Sequence, residues 1–264
     1  MIFANPPIVE LVAELRWVPG APGANMPEGG VVRLQFPLTF IEESFENFRR
    51  AIADKGFAVS ERLVPVGFPI LPFTVAQRFR KPSNKENYAY QVGLGVFSAN
   101  ALPPYRDWES FRPIVGEGVE TLLSSRHSSD RGNVSVILRY LDVFSDEMTE
   151  GRKSFDFLND VLGITLMLPT TLLEQTANLG DLRAGLQLSL SLGDGLAMNL
   201  GVQDGTVAGR TGVLMTTEVF TVQPIAPEAH SIMQTFEKAH DNIRVTFLGL
   251  TKKIRDKMKP VEAK

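Results

Sequence analysis

The stretch from Asn5 to Trp17 constrains the fold more than any other part of the chain. Asn5-Pro6-Pro7 enters it extended, and neither proline can lie inside a central strand because each lacks the amide that a ladder requires. From Ile8 onward the residues alternate with period two. Val9, Leu11, Ala13, Leu15 and Trp17 share one face, while Glu10, Val12, Glu14 and Arg16 share the other. The apolar face needs a core. The charged face has two readings. It is solvated, with Glu14 and Arg16 as a same-face pair worth well under about 1 kcal/mol, or it is covered by another element or a partner. In the covered case Arg16 holds Glu14 or Glu10 through charge-assisted hydrogen bonds.

The rest of the sequence supplies elements for that strand to join. Ile41, Phe45, Phe48 and Ile52 make one helical stripe that Gly56 ends. Asp107 suits the N-cap of a second helix, Trp108 to about Ser124, with Trp108, Phe111, Val115, Val119 and Leu122 inward; Pro113 conflicts with a regular interior. The longest periodic element runs from about Pro227 to Met258. Phe236, His240, Ile243, Phe247, Leu250 and Ile254 form a narrow seam along it. His240, Phe247 and Ile254 are therefore candidate interface residues, and the seam predicts a homo-oligomer.

Strands are expected at Val31 to Phe36, Phe57 to Val64, Phe73 to Arg80, Tyr88 to Phe97, Asn133 to Phe144, Ala184 to Leu192, Ala197 to Val202 and Gly212 to Val222, with Gly193-Asp194-Gly195 and Asp204-Gly205 as turns. Asn133 to Phe144 is apolar on both faces and reads as central. Arg139 within it needs a carboxylate if buried, and Glu10 or Glu14 would serve. Glu10, Glu14, Arg16 and Arg139 thus form a candidate binding or structural cluster. The whole reads as an α+β fold: a largely antiparallel sheet of about nine strands, packed by three main helices including a long C-terminal one. Residues 1–264 make one structural unit, with lobes at 1–145 and 153–264 as the alternative division. Both halves run from strands through a helix to further strands, which suggests duplication, although no residue-level repeat is visible.

Composition narrows the function classes. A formal charge of −3 gives no basic footprint, which argues against nucleic acid as a partner. Cysteine is absent, which removes disulfides, thiol nucleophiles and Cys-ligated zinc. Glu10 and Glu14 interrupt the first apolar run and no basic segment precedes it, so a signal peptide is not expected. No apolar run approaches the roughly 20 residues of a membrane span. A cytoplasmic chain without membrane association is the expectation. His127, His230 and His240 have no metal-pair spacing, and serine-nucleophile, phosphate-loop and His-Glu-x-x-His motifs are missing. Glu10 and Glu14 lie about 13 Å apart along a strand, too far for a glycosidase pair. No cofactor, metal or catalytic residue is assigned. Asn100, Tyr105 and Trp108 form a candidate aromatic surface after Pro103-Pro104, with a core edge as the competing reading.

Several blocks together resemble one family. Asn5-Pro6-Pro7-Ile8-Val9-Glu10 through Glu14-Leu15-Arg16-Trp17 is similar to its opening signature. Gln91 to Val96, Asn100, Tyr105 and Trp108 to Phe111 resemble its middle block. Leu138-Arg139-Tyr140-Leu141-Asp142 resembles its arginine-tyrosine strand, with Leu141-Asp142 where Ile-Asn is usual. His240-Asp241, Phe247 and Thr251 resemble its close. It is a sporadically distributed prokaryotic family of about 250 residues with no assigned activity. The resemblance implies a single unit and supplies no site residues. The resulting expectation is a non-enzymatic cytoplasmic interaction or accessory protein with a protein partner, of the kind linked to a mobile defence or toxin system. The alternative is a small-ligand-binding domain or an enzyme built on Glu10, Glu14, Arg16 and Arg139.

Overall fold

The computed structural model describes residues 2–19, 38–83, 87–104, 107–126 and 130–261. Its strands are β1 (Ile2–Phe3), β2 (Ile8–Arg16), β3 (Val59–Arg62), β4 (Val75–Arg80), β5 (Tyr88–Gly93), β6 (Val96–Ala101), β7 (Ser135–Phe144), β8 (Leu186–Ser191), β9 (Leu196–Val207), β10 (Arg210–Thr221) and β11 (Pro260–Val261). Nine of them form one antiparallel sheet in the order β3-β4-β5-β6-β2-β7-β10-β9-β8, which is an α+β fold with the opening strand at its middle. The remaining two, β1 and β11, clasp each other. The expected strand at Val31 to Phe36, Tyr105 and His127 lie outside the described residues.

The helices are α1 (Leu38–Ala53), α2 (Trp108–Ser125), the short α3 (Asp146–Thr149), α4 (Ser154–Asp156) and α5 (Thr170–Gln175), and α6 (Ala229–Leu250). The long three pack on the sheet face that presents Leu11, Ala13 and Leu15. Ile41, Phe45, Phe48 and Ile52 come from α1, Trp108, Phe111, Val115 and Val119 from α2, and Ile232, Phe236 and Ile243 from α6. Asp107 caps α2, its Oδ1 accepting from the Ser110 amide at 2.8 Å. Pro113 is accommodated inside that helix near its start. The last helix is shorter than its periodicity suggests: after Leu250 the chain tightens into a 3₁₀ segment, Lys252–Met258.

The two halves share a plan. In each, the leading strand (β2 or β7) pairs with the last strand of a meander (β6 or β10), and a long helix (α2 or α6) follows. One sheet runs through both, with a second apolar cluster around Phe144, Phe157, Met215 and Met258 at the far end.

Local departures from strict alternation correct several expectations. A bulge between Ile8 and Glu10 shifts the phase of β2. Ile8 joins the main core and Val9 instead packs with Val143 and Leu214 on the other face. A similar shift between Val75 and Gln77 buries Ala76 together with Phe79 in β4. Tyr88 to Phe97 is a hairpin rather than one strand. Its Gly93 and Gly95 are required by close approach: added Cβ atoms would meet the Thr74 carbonyl oxygen at 1.9 Å and that of Trp17 at 2.4 Å. Asp204-Gly205 lies inside β9, and Ala208-Gly209 makes the turn to β10 with φ values of 50° and 77°. The Asp204 carboxylate instead accepts from the Ser154 hydroxyl at 2.6 Å. Gly193-Asp194-Gly195 is a turn as expected, with Asp194 and Gly195 at positive φ. Leu190, expected inside, is 44% exposed because β8 is an edge strand.

Candidate functional site

The charged face of β2 resolves into separate pairs. Opposite β2 in the ladders, Val12 meets Arg139 and Asn100, Glu14 meets Ile137 and Ser98, and Glu10 meets Leu141. All four candidate cluster residues lie on the sheet face away from the long helices. Arg16 Nε donates to Glu14 Oε1, a pair that both readings of this face contain. Arg139 does not reach Glu10 or Glu14. Its Nε donates to Glu218 Oε2 at 2.7 Å, because Glu218 on β10 is its direct cross-strand neighbour. Glu218 in turn accepts from Asn199 Nδ2 at 3.5 Å. Of the predicted four-residue constellation only Glu14 and Arg16 pair with each other; Arg139 pairs with Glu218 instead, and Glu10 joins neither pair.

The sheet also divides the proposed aromatic surface. Asn100 is buried on the face away from the helices, where its Nδ2 donates to Ser98 Oγ at 2.9 Å. Trp108 lies against the other face. The seam of the last helix is taken up within the chain: Ile254 is buried in the far cluster, and His240 and Phe247 face a cleft.

That cleft, with a volume of about 680 Å³, is the candidate site. Tyr140 and Asp142 of β7 and Ile8 of β2 line it from the sheet. On one side α6 contributes residues at +3 and +4 spacing, Glu237, His240, Asp241, Arg244, Phe247 and Leu248, beside the stripe it buries in the core. On the other side stand Asp107, Trp108, Glu109 and Arg112 at the start of α2. Phe3, Pro6 and Pro7 complete it, so the extended entry to the first long strand doubles as a wall.

Two features make the cleft more than a packing defect. Trp108 and His240 stack with ring centroids 4.9 Å apart and planes within 9°. His240 Nδ1 lies 2.8 Å from the Tyr140 hydroxyl, which fixes the imidazole on its second edge. Burial holds His240 well below the usual histidine range, at about 4, so it is neutral at pH 7. The second feature is Asp142. It is 3% exposed, and among the described residues no hydrogen bond or ion pair engages its carboxyl. Burial alone pushes it up to about 7. Around the opening, both arginines are already engaged: Arg112 Nε donates to Glu237 Oε1, and Arg244 lies 3.4 Å from Asp241.

Sequence reasoning found Trp108 and His240 but assigned them to different surfaces, and it noted Asp142 only as a departure from a family pattern, without a place in any site. The signal was an acid in the most apolar strand of the chain. Among the described residues no group of three His, Asp or Glu side chains is placed to hold a metal ion, and no helix is long and apolar enough to cross a membrane. No protein-family model, curated protein or solved structure matches this chain.

Proposed function

We propose that this protein binds a small molecule in the cleft between α2, α6 and β7, and that this binding is its function. The observation that carries the reading is the pairing of a preformed aromatic wall, Trp108 on His240, with a buried and unengaged carboxyl at Asp142. Small-molecule sites are mostly apolar clefts of about 300–1,000 Å³ with a few polar groups, and this one has that size and character. Leaving a carboxyl buried without partners costs free energy that a fold has no structural reason to retain. Glu14 and Arg16 of β2 and Ile254 of the seam support association with a protein partner less well, because their side chains are engaged within the chain.

The test is a thermal-shift screen of small amines, alcohols and acids bearing aromatic or aliphatic bodies. A ligand present at about 100 times its Kd stabilises by roughly 2.7 kcal/mol, a rise in Tm of several degrees for a chain of this size. Leu248→Trp, which adds bulk to the cleft, should abolish the rise. A screen without stabilising compounds, or shifts that survive Leu248→Trp, would count against the cleft as the site.

A further inference from the structure

We infer that the ligand is an organic monocation, a protonated amine on an apolar body, with its ammonium at Asp142 and its body along Trp108. This rests on the cleft being a binding site and narrows the class of molecule it takes.

Charge in the cleft points this way. Five carboxyl groups and two guanidiniums line it. Both guanidiniums are paired with acids of α6, Arg112 with Glu237 and Arg244 with Asp241, so the cleft keeps an excess of carboxylates. Asp107 spends one oxygen on the cap of α2. Glu109 is exposed at the start of α2, and Asp142 remains, on the sheet rather than at the solvent edge, with nothing among the described residues to satisfy it. An anionic ligand would meet this carboxyl without compensation. A neutral ligand would leave its ionised form buried and unpaired, at a cost that truncation data place among the largest for a single group. An ammonium satisfies it with a charge-assisted hydrogen bond.

The walls agree with that choice. Trp108 brings an indole and Tyr140 a phenol to the same space; one indole face is covered by His240, so the rings serve as apolar surface for the ligand's body. The stacked His240 is neutral, so it adds apolar surface and no repelling charge. A metal cation fits poorly, since one carboxylate supplies too few hard ligands and no cluster of three potential ligands is present among the described residues. An amine carried on an aromatic or branched aliphatic body uses the carboxyl and the volume together.

Binding should also depend on pH. Burial raises the Asp142 carboxyl to about 7. The groups that share the cleft with it are Tyr140 on its own strand, Glu237, His240, Asp241 and Arg244 from α6, and Asp107, Glu109 and Arg112 at the start of α2. The amine stays protonated throughout the range in which Asp142 ionises, so affinity should rise with pH, by up to about tenfold per unit well below the carboxyl's midpoint, and level off above it.

Isothermal titration calorimetry with phenethylamine, 2-phenylethanol and 3-phenylpropionate at pH 8 and pH 5.5 tests this. The amine should bind at least tenfold more tightly than the alcohol at pH 8, and the acid weakest of all. The amine's advantage should shrink at pH 5.5 in the unaltered protein, a measurement that needs no variant. Asp142→Asn should lower amine affinity ten- to a hundredfold and leave alcohol affinity within about threefold. Alcohol binding equal to amine binding at pH 8, or an amine affinity that ignores pH, would overturn the cation assignment while leaving the cleft a binding site. Tightest binding by the carboxylate would also overturn it. Failure of all three probes to bind at millimolar concentration would remove the cation proposal and the binding reading together.

Discussion

Asp130 and Asp142 are both buried acids lodged against the helix-covered side of the molecule, and their surroundings are opposite in kind. Asp130 Oδ2 accepts from Trp17 Nε1 at 2.8 Å and lies 3.8 Å from Arg126 Nε. The Arg126 guanidinium rests 4.4 Å above the Trp17 ring, so acid, base and aromatic close on one another. Burial lowers the Arg126 pKa and the charge of Asp130 opposes that shift. The void beside this group is about 40 Å³. Asp142 has an aromatic neighbour and a histidine nearby but no ionic partner, and its void is seventeen times larger by the same measure. The first arrangement completes a contact between the first long strand and the end of α2. The second leaves the strongest polar group in its half unused. A buried acid held by a hydrogen bond and a neighbouring cation reads as architecture, even with Arg126 Nε and Nη1 left without hydrogen-bond partners, whereas Asp142 has neither and stands beside open space, which suits the proposed binding role.

The sharpest way to break this comparison is to delete each acid. Asp130→Ala leaves Arg126 buried without its partner and should cost roughly 3 kcal/mol or more in urea unfolding. Asp142→Asn should cost nothing above neutral pH and should stabilise by on the order of 2 kcal/mol at pH 8. The sign follows from the titration. The unfolded aspartate ionises near 3.8, whereas the folded carboxyl holds its proton to about 7. Wild-type stability should therefore fall between those limits as pH rises, and the Asp142→Asn profile should lack that decline. Equal losses for the two variants would erase the distinction.

Glycines in α2 measure the same contrast in packing. A Cβ at Gly118 would meet Tyr90 Cε1 at 2.5 Å and Phe97 Cζ at 2.7 Å, both rings of the tightly filled half. Gly118→Ala should cost about 1–3 kcal/mol by thermal or urea unfolding. At Gly116 the nearest atom is the Met233 methyl at 3.8 Å, so Gly116→Ala should stabilise by roughly 0.5–1 kcal/mol through helix propensity alone. Tyr140→Phe, which removes the hydroxyl next to His240, should cost about 1 kcal/mol. An effect of similar size is expected at Glu218→Ala. Its pair with Arg139 is partly solvated, which limits the loss to about 1 kcal/mol, and double-mutant cycles can read that coupling.

Much of the architecture was legible along the chain, because alternation and helical stripes are local signals. The first long strand, the Asp107 cap, the three long helices and the Gly193 to Gly195 turn all follow from neighbours within a few residues. What escaped is set by non-local pairing or by phase. Alternation shows that Arg139 shares a face with other polar residues, but not that Glu218 lies across from it. A single bulge at Val9 exchanges the faces of Ile8 and Val9, and a pair of glycines folds an apparent strand into a hairpin. The cleft was illegible for the same reason. Trp108, Tyr140, Asp142 and His240 come from three elements whose juxtaposition depends on the order of strands in the sheet.

The clasp of β1 and β11 gives this molecule a built-in reporter. The Ala4 amide donates to the Lys259 carbonyl at 2.9 Å and the Asn5 amide to that of Met258 at 3.0 Å, while Phe3 sets its ring edgewise 6.2 Å from Phe247. Phe3 belongs both to this short buckle and to the cleft wall, so the proposed binding should be felt at the clasp. Deuterium uptake at those two amides should slow when the space behind Phe3 fills, registering a guest without any label attached to it.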